Sequence, residues 1–104
     1  TESIDVSIEA NNNGNGNVYV IDGTQKKALV LTVGTTYTFN HSSNHPLRFS
    51  TTSDGTHNDG TEYMNGVTTS AGVTTIEVTA NTPTNLYYFC QIHAGMGAGI
   101  TISN

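Results

Sequence analysis

Short runs in which apolar and polar residues alternate recur along the chain, whereas apolar residues at helical spacing are nearly absent. Residues 4–8 and 73–79 alternate in this way, which places their apolar side chains on one face of a strand. Ile100 and Ile102 mark a final strand. About seven or eight such strands, separated by turns rich in Gly, Asn and Pro, predict an all-β Greek-key β-sandwich.

Two stretches interrupt this pattern. Gly34 separates the strand-like runs 29–33 and 36–40, and we interpret it as a bend or bulge within one long stretch. Residues 51–66 are polar, rich in Gly, Asn and Asp, and have no apolar period. They predict an extended surface excursion, in which His57 is a solvated side chain.

Strand parity places two reactive side chains on the buried face. His45 has the same parity as Leu47 and Phe49, so a strand that buries both residues also turns His45 inward. Cys90 has the same parity as Tyr88, so it ends its strand facing the core. A histidine and a cysteine that are distant in sequence are therefore both predicted to lie inside the fold.

Composition limits the classes of function. The 104 residues suffice for a single domain spanning positions 1–104, and three Lys and Arg residues with a net charge of -5 exclude a nucleic-acid partner. No stretch approaches the roughly 20 apolar residues of a spanning helix, so we expect no membrane span. The single cysteine excludes a disulfide within the chain.

One short segment near the C-terminus contains three metal-binding side chains. Cys90, His93 and Met96 are each separated by two residues, so one loop supplies a thiolate, an imidazole and a thioether. With His45 from the other strand, the set is a cysteine, two histidines and a weak axial thioether. Proteins use this set in mononuclear type 1 copper sites. The sequence therefore predicts one copper ion bound by His45, Cys90, His93 and Met96.

Alternatives remain open at several of these positions. Cys90 alone would be read as a buried structural thiol. His41 competes with His45 as a ligand, although it lies in the polar loop before the strand. Met96 is either the axial ligand or a packing residue, with the carbonyl of Asn44 as an opposite axial neighbour. Met64 is interpreted as packing.

The chain also resembles the cupredoxins, the small blue-copper family that includes plastocyanin, pseudoazurin and amicyanin. The similar segments are residues 29–40, residues 45–49 and the pattern Tyr-x-Cys-x-x-His-x-x-Met at residues 88–96. The resemblance implies a copper site at one end of an eight-stranded sandwich. It also implies one-electron transfer through His93 to a redox partner protein, and an extracytoplasmic location, periplasmic or secreted.

Two departures from the family pattern concern the surroundings of the ion. Many relatives have an asparagine after the first histidine, with a backbone N–H that points at the cysteine sulfur, but this chain has Pro46, which lacks that donor. The potential of the site therefore cannot be transferred from the family. The excursion at residues 51–66 has no clear counterpart.

These observations favour an electron carrier over an enzyme, with two alternatives. One is a structural or adhesive module of a larger extracellular protein that retains copper. The low charge and the abundant Thr, Asn and Gly residues fit it as well as they fit a carrier. The other is a copper oxidoreductase that acts on a small molecule such as nitric oxide, which would need an open coordination position.

Overall fold

The chain folds almost entirely into strands. A computed structural model describes all residues, Thr1–Asn104. The strands are β1 (Glu2–Asp5), β2 (Ser7–Ala10), β3 (Asn17–Ile21), β4 (Thr24–Gln25), β5 (Leu29–Thr32), β6 (Thr36–Asn40), β7 (Leu47–Ser50), β8 (Val67–Ser70), β9 (Val73–Glu77), β10 (Asn85–Cys90) and β11 (Ala98–Ser103). One turn of 3-10 helix, Gly55–Asn58, is the only helical segment. The all-β prediction is confirmed.

Eight of the strands build two four-stranded sheets. Their strand orders are β1-β6-β9-β8 and β5-β11-β10-β7, and a third, small sheet has the order β2-β3-β4. Both larger sheets contribute side chains to one core cluster of 16 buried residues, including Phe39 of β6 and Phe49 of β7, whose ring centroids are 5.4 Å apart. This arrangement is consistent with a β-sandwich, and its Greek-key connectivity stays a prediction.

The first predicted strand is divided between two sheets. The apolar face is as expected, because Ile4 and Ile8 pack against the core and Val6 belongs to it. However, β1 pairs with β6 in a large sheet, whereas β2 pairs with β3 in the small one. The chain changes sheets at Val6, whose N–H donates to the carbonyl of Asn40 at 2.8 Å.

The interpretation of Gly34 as a bend within one stretch is wrong. β5 and β6 on its two sides belong to different sheets, so the chain crosses between sheets there. Gly34 has φ +94, in the left-handed region that glycine enters without a steric penalty, and the sharp change of direction depends on it. β8, which pairs with β9, was not predicted from the sequence.

The excursion at residues 51–66 lies mostly on the surface, as predicted, but it is tied to the rest of the fold at specific points. Gly55 is buried against the ring of Phe89, and Ser50 forms a bridge with Glu62. The segment therefore folds back onto the sheet that contains β7 and β10. Polar side chains and backbone groups make these contacts, and hydrophobic periodicity does not report them.

Neither a membrane-spanning helix nor a disulfide was expected, and the structure contains neither. No helix in the structure combines the length and apolar character that crossing a bilayer would demand. Cys90 is a free, buried cysteine, and the chain contains no other.

Candidate metal centre

The pairing of two central strands brings the first histidine to the cysteine. β7 and β10 run antiparallel, with Cys90 opposite Leu47 at the end of their register. The Gln91 N–H extends the pairing by donating to the carbonyl of Pro46 at 2.9 Å. His45, two residues before Leu47, therefore reaches the end of the sheet where Cys90 lies.

The structure brings three of the four predicted ligands together. The Cys90 sulfur lies 3.9 Å from Nδ1 of His45 and 3.9 Å from Nδ1 of His93. The three donor atoms lie within 4.8 Å of one another, and the two imidazole centroids are 4.9 Å apart. For metal–sulfur and metal–nitrogen bonds of about 2.3 and 2.0 Å, a trigonal or tetrahedral centre separates sulfur from nitrogen by roughly 3.5–3.7 Å. The observed spacing fits a shared ion after a small inward movement.

The three donors differ in their access to solvent. Cys90 is completely buried, His45 is half-buried and His93 is exposed. The sulfur is therefore shielded from water and external oxidants by the fold, whereas one imidazole remains open to solvent at the surface. An ion held by these residues would lie just below the surface, with His93 between it and the outside.

Met96 is buried at the edge of the cluster. Its side chain is 1% exposed and belongs to the core cluster. It lines a depression of about 300 Å³ together with both histidines, Ala94, Gly16 and Asn17. Ligation by Met96 stays a prediction.

Tyr19 of β3 contacts both segments that carry the predicted ligands, and it was not identified from the sequence. Its hydroxyl donates to the carbonyl of His45 at 2.6 Å, and its N–H donates to the carbonyl of Met96 at 3.0 Å. Burial raises the pKa of Tyr19 well above its usual value, and the charge of Cys90 raises it further, so the hydroxyl keeps its proton as a donor. Residues 18–21 are all buried, so alternation gave no reason to single out this tyrosine.

The other histidines lie outside the cluster. Nε2 of His41 is 2.9 Å from the Thr74 hydroxyl, and its Nδ1 is 2.9 Å from the carbonyl of Ser42, so His41 is satisfied elsewhere and does not replace His45. His57 is exposed to solvent, as predicted, but its ring also makes a specific contact that the sequence did not indicate. Although exposed, His57 places Nε2 2.7 Å from the carbonyl oxygen of Cys90.

Comparison of the chain with protein-family models, with curated proteins and with solved structures finds no match. The cluster itself is therefore the basis for a function. His45, Cys90 and His93 form a group that can hold a metal ion. Met64, which was interpreted as packing, is 48% exposed and takes no part in this group.

Proposed function

We propose that this chain is a cupredoxin-like type 1 copper protein, or a domain of one, and that it transfers single electrons. One observation carries the proposal: a buried thiol and two imidazole Nδ1 atoms converge, with each nitrogen 3.9 Å from the sulfur. A cysteine and two histidines are the equatorial donors of type 1 copper sites. Cys90 and His93 share one short loop, but His45 lies 45 positions before Cys90, so the fold itself completes the donor set.

The chemistry of the donors favours copper over other metals. Thiolate and thioether sulfur are soft ligands that suit Cu(I), while imidazole suits Cu(II). Zinc also accepts cysteine and histidine, and its catalytic sites use three protein ligands, but a thioether is not among its usual donors. Met96, buried beside the histidines, is the natural fourth neighbour for copper.

The residues are suited to hold an ion without much rearrangement. A bound copper ion would supply a reversible one-electron couple between Cu(I) and Cu(II). Cys90 is fixed by strand pairing on β10, and Tyr19 fixes the backbone carbonyls of His45 and Met96. Donors that keep their positions in both oxidation states require little reorganisation when an electron moves.

His93 is the proposed point of electron entry and exit. It is the exposed member of the cluster, and its neighbours Ile92 and Ala94 are apolar and exposed, with Ile92 58% exposed. An apolar surface around the imidazole would let a redox partner protein approach closely. The partner and the extracytoplasmic location remain parts of this proposal that follow from the family resemblance.

The test is a titration of reduced, metal-free protein with Cu(II), followed by visible absorption and electron paramagnetic resonance. We expect an intense thiolate-to-copper band that saturates at one equivalent and is absent in Cys90→Ala. His41→Gln is the matched control, because it removes an imidazole that lies outside the cluster, and it should bind copper normally.

The outcomes separate the competing functions. Reversible oxidation and reduction without substrate turnover supports the electron carrier, whereas consumption of nitric oxide by the copper-loaded protein would indicate an oxidoreductase. Absence of the band in a protein whose circular dichroism shows an intact fold would contradict the copper proposal. The structural module would then be the better interpretation.

A further inference from the structure

The segment at residues 51–66, called the strap below, touches the metal-binding loop at residues 90–96, called the ligand loop, at two points. Nε2 of His57 is 2.7 Å from the carbonyl oxygen of Cys90. The carboxylate of Asp54 accepts from the Gly95 N–H, with its two oxygens at 3.0 and 3.1 Å. These contacts lie at opposite ends of the ligand loop, one on the cysteine and one beside Met96.

The chemistry of the first contact fixes the direction of the hydrogen bond. A carbonyl oxygen only accepts, so Nε2 of His57 carries the proton and donates it. The ring also meets Phe89 edge to face, with centroids 6.1 Å apart and planes at 85°. His57 is therefore oriented by two contacts with β10, although it is an exposed residue.

The strap is itself attached to the sheet that carries Cys90. The Tyr63 N–H donates to the carbonyl of Phe49 at 2.7 Å, and the Ser50 hydroxyl donates to the carbonyl of Thr61 at 2.7 Å. Arg48 and Glu62 form an ion pair at 3.2 Å, with both side chains less than one-fifth exposed. The strap thus has a fixed base from which its tip can hold another segment.

The tip of the strap has a shape that few sequences allow. Asp54 and Gly55 have φ 61 and 54, in the left-handed region. A Cβ on Gly55 would lie 2.5 Å from the Phe89 ring, so only glycine lets the tip approach β10 this closely. This approach brings both Asp54 and His57 within hydrogen-bonding distance of the ligand loop.

We propose that Asp54 and His57 are positioning residues that hold the ligand loop in its metal-binding shape before the ion arrives. The expected effect on metal binding rests on the proposed copper function, whereas the positioning of the ligand loop rests on the strap contacts. Hydrogen bonds to the backbone on both sides of His93 limit the positions that the Cys90 sulfur and the His93 ring adopt. Outer contacts that orient ligands in this way commonly change metal affinity about 10- to 100-fold.

The test compares substitutions that remove the hydrogen-bonding group with conservative substitutions that keep one. His57→Phe removes the N–H donor and keeps a ring against Phe89, whereas His57→Gln keeps a donor. Asp54→Gly removes the carboxylate and tolerates φ 61, whereas Asp54→Asn keeps an acceptor and also tolerates this backbone shape. Asn58→Ala is the matched control, because Asn58 lies in the same turn, is exposed and makes no hydrogen bond with the ligand loop.

Two readouts are measured on each variant. In metal-free protein, hydrogen exchange at the Gly95 amide should accelerate by about tenfold or more in Asp54→Gly, because the opened amide loses its acceptor. In copper-loaded protein, His57→Phe and Asp54→Gly should each lower Cu(II) affinity about 10- to 100-fold and change the electron paramagnetic resonance spectrum. The conservative variants and Asn58→Ala should stay close to the parent protein.

The two readouts keep the two proposals apart. If the parent protein binds no copper, the proposed function fails, and the amide-exchange comparison alone decides whether the strap holds the loop. If copper binds normally in folded His57→Phe and Asp54→Gly and the Gly95 amide exchanges at the parent rate, the positioning role is wrong. Equal losses of Cu(II) affinity in the variants that remove the hydrogen-bonding group and in the conservative variants would also overturn the positioning role.

Discussion

Two glycine-containing loops border the same depression at the candidate metal centre, and they are held in opposite ways. The loop at residues 11–16 largely closes on itself. The Asn11 N–H donates to the carbonyl of Gly16 at 2.8 Å, and side chains of Asn11 and Asn13 accept from amides two residues later at 3.2 and 2.9 Å. Gln25 is its one distant side-chain partner.

The ligand loop, by contrast, is held by residues from distant parts of the chain. Pro46 accepts from the Gln91 amide, Tyr19 donates to the Met96 carbonyl, and the strap supplies Asp54 and His57. A locally closed loop can form in any context that leaves it room. A loop held from three other elements takes its shape only in the folded protein, which is what a preorganised metal site requires.

The largest expected difference concerns two glycines, Gly97 directly after the ligand loop and Gly14 within the loop at residues 11–16. A Cβ added at Gly97, just beyond Met96, would overlap the Tyr88 carbonyl oxygen and lie 2.6 Å from its carbon. Because β10 would have to move, Gly97→Ala should reduce the free energy of unfolding by about 3 kcal/mol. Gly14 has φ +83 and open space around it, so Gly14→Ala should cost only about 1–2 kcal/mol from backbone strain.

Urea unfolding of the two metal-free variants tests this difference, and copper titration shows where the damage lies. Gly97→Ala should also weaken copper binding, whereas Gly14→Ala should bind copper as the parent does. Equal stability losses in the two variants would mean that β10 yields easily at Tyr88, and the contrast between the loops would lose its main support.

The same contrast between local and distant contacts explains which parts of the structure the sequence predicts. Alternation correctly placed Leu47, Phe49, Tyr88 and Cys90 in the core, all at most 1% exposed, because side chains on a strand face opposite sides in turn. That parity, with the Cys-x-x-His spacing, was enough to predict the cluster that the structure brings together.

What alternation could not predict depends on polar contacts and on chain direction. The contacts of Asp54 and His57 with the ligand loop are hydrogen bonds to backbone groups more than 30 positions away, and such bonds leave no period in the sequence. The chain also passes from one sheet to another at Val6 and Gly34. Alternation does not encode which sheet each strand joins. Polar loops that fold by contact with a distant backbone are therefore where sequence reasoning fell short.

A smaller effect should separate two buried tyrosines. The hydroxyl of Tyr19 donates to the carbonyl of His45 at 2.6 Å, and that of Tyr88 donates to the carbonyl of Lys27 at 2.7 Å. Replacing either by Phe leaves a carbonyl without its partner, at a cost of about 1–2 kcal/mol in the free energy of unfolding. Only Tyr19→Phe should also change the reduction potential and the absorption band of the copper-loaded protein.

Tyr88→Phe is the matched control, because it removes an equally buried hydroxyl that makes no contact with a ligand-bearing segment. Chemical unfolding of both metal-free variants, followed by voltammetry of both copper-loaded forms, separates stability from the state of the site. An unchanged potential in Tyr19→Phe would show that the strand pairing of β7 and β10 fixes His45 without help from β3.

The smallest expected effect lies in the locally closed loop, at its single distant partner. The amide of Gln25 donates to Glu9 at 2.7 Å and to the carbonyl of Ala10 at 2.8 Å, and its oxygen accepts from the Asn12 N–H at 3.0 Å. All three bonds are exposed to solvent, so Gln25→Ala should cost about 0.5–1 kcal/mol in urea unfolding. Copper affinity and spectrum should not change, because the loop's own amides still close it.

A shifted copper spectrum in this variant would mean that Gly16 and Asn17, which line the depression beside His45, transmit the shape of their loop to the site. Both loops would then belong to the metal centre, and local closure would not make a loop independent of it.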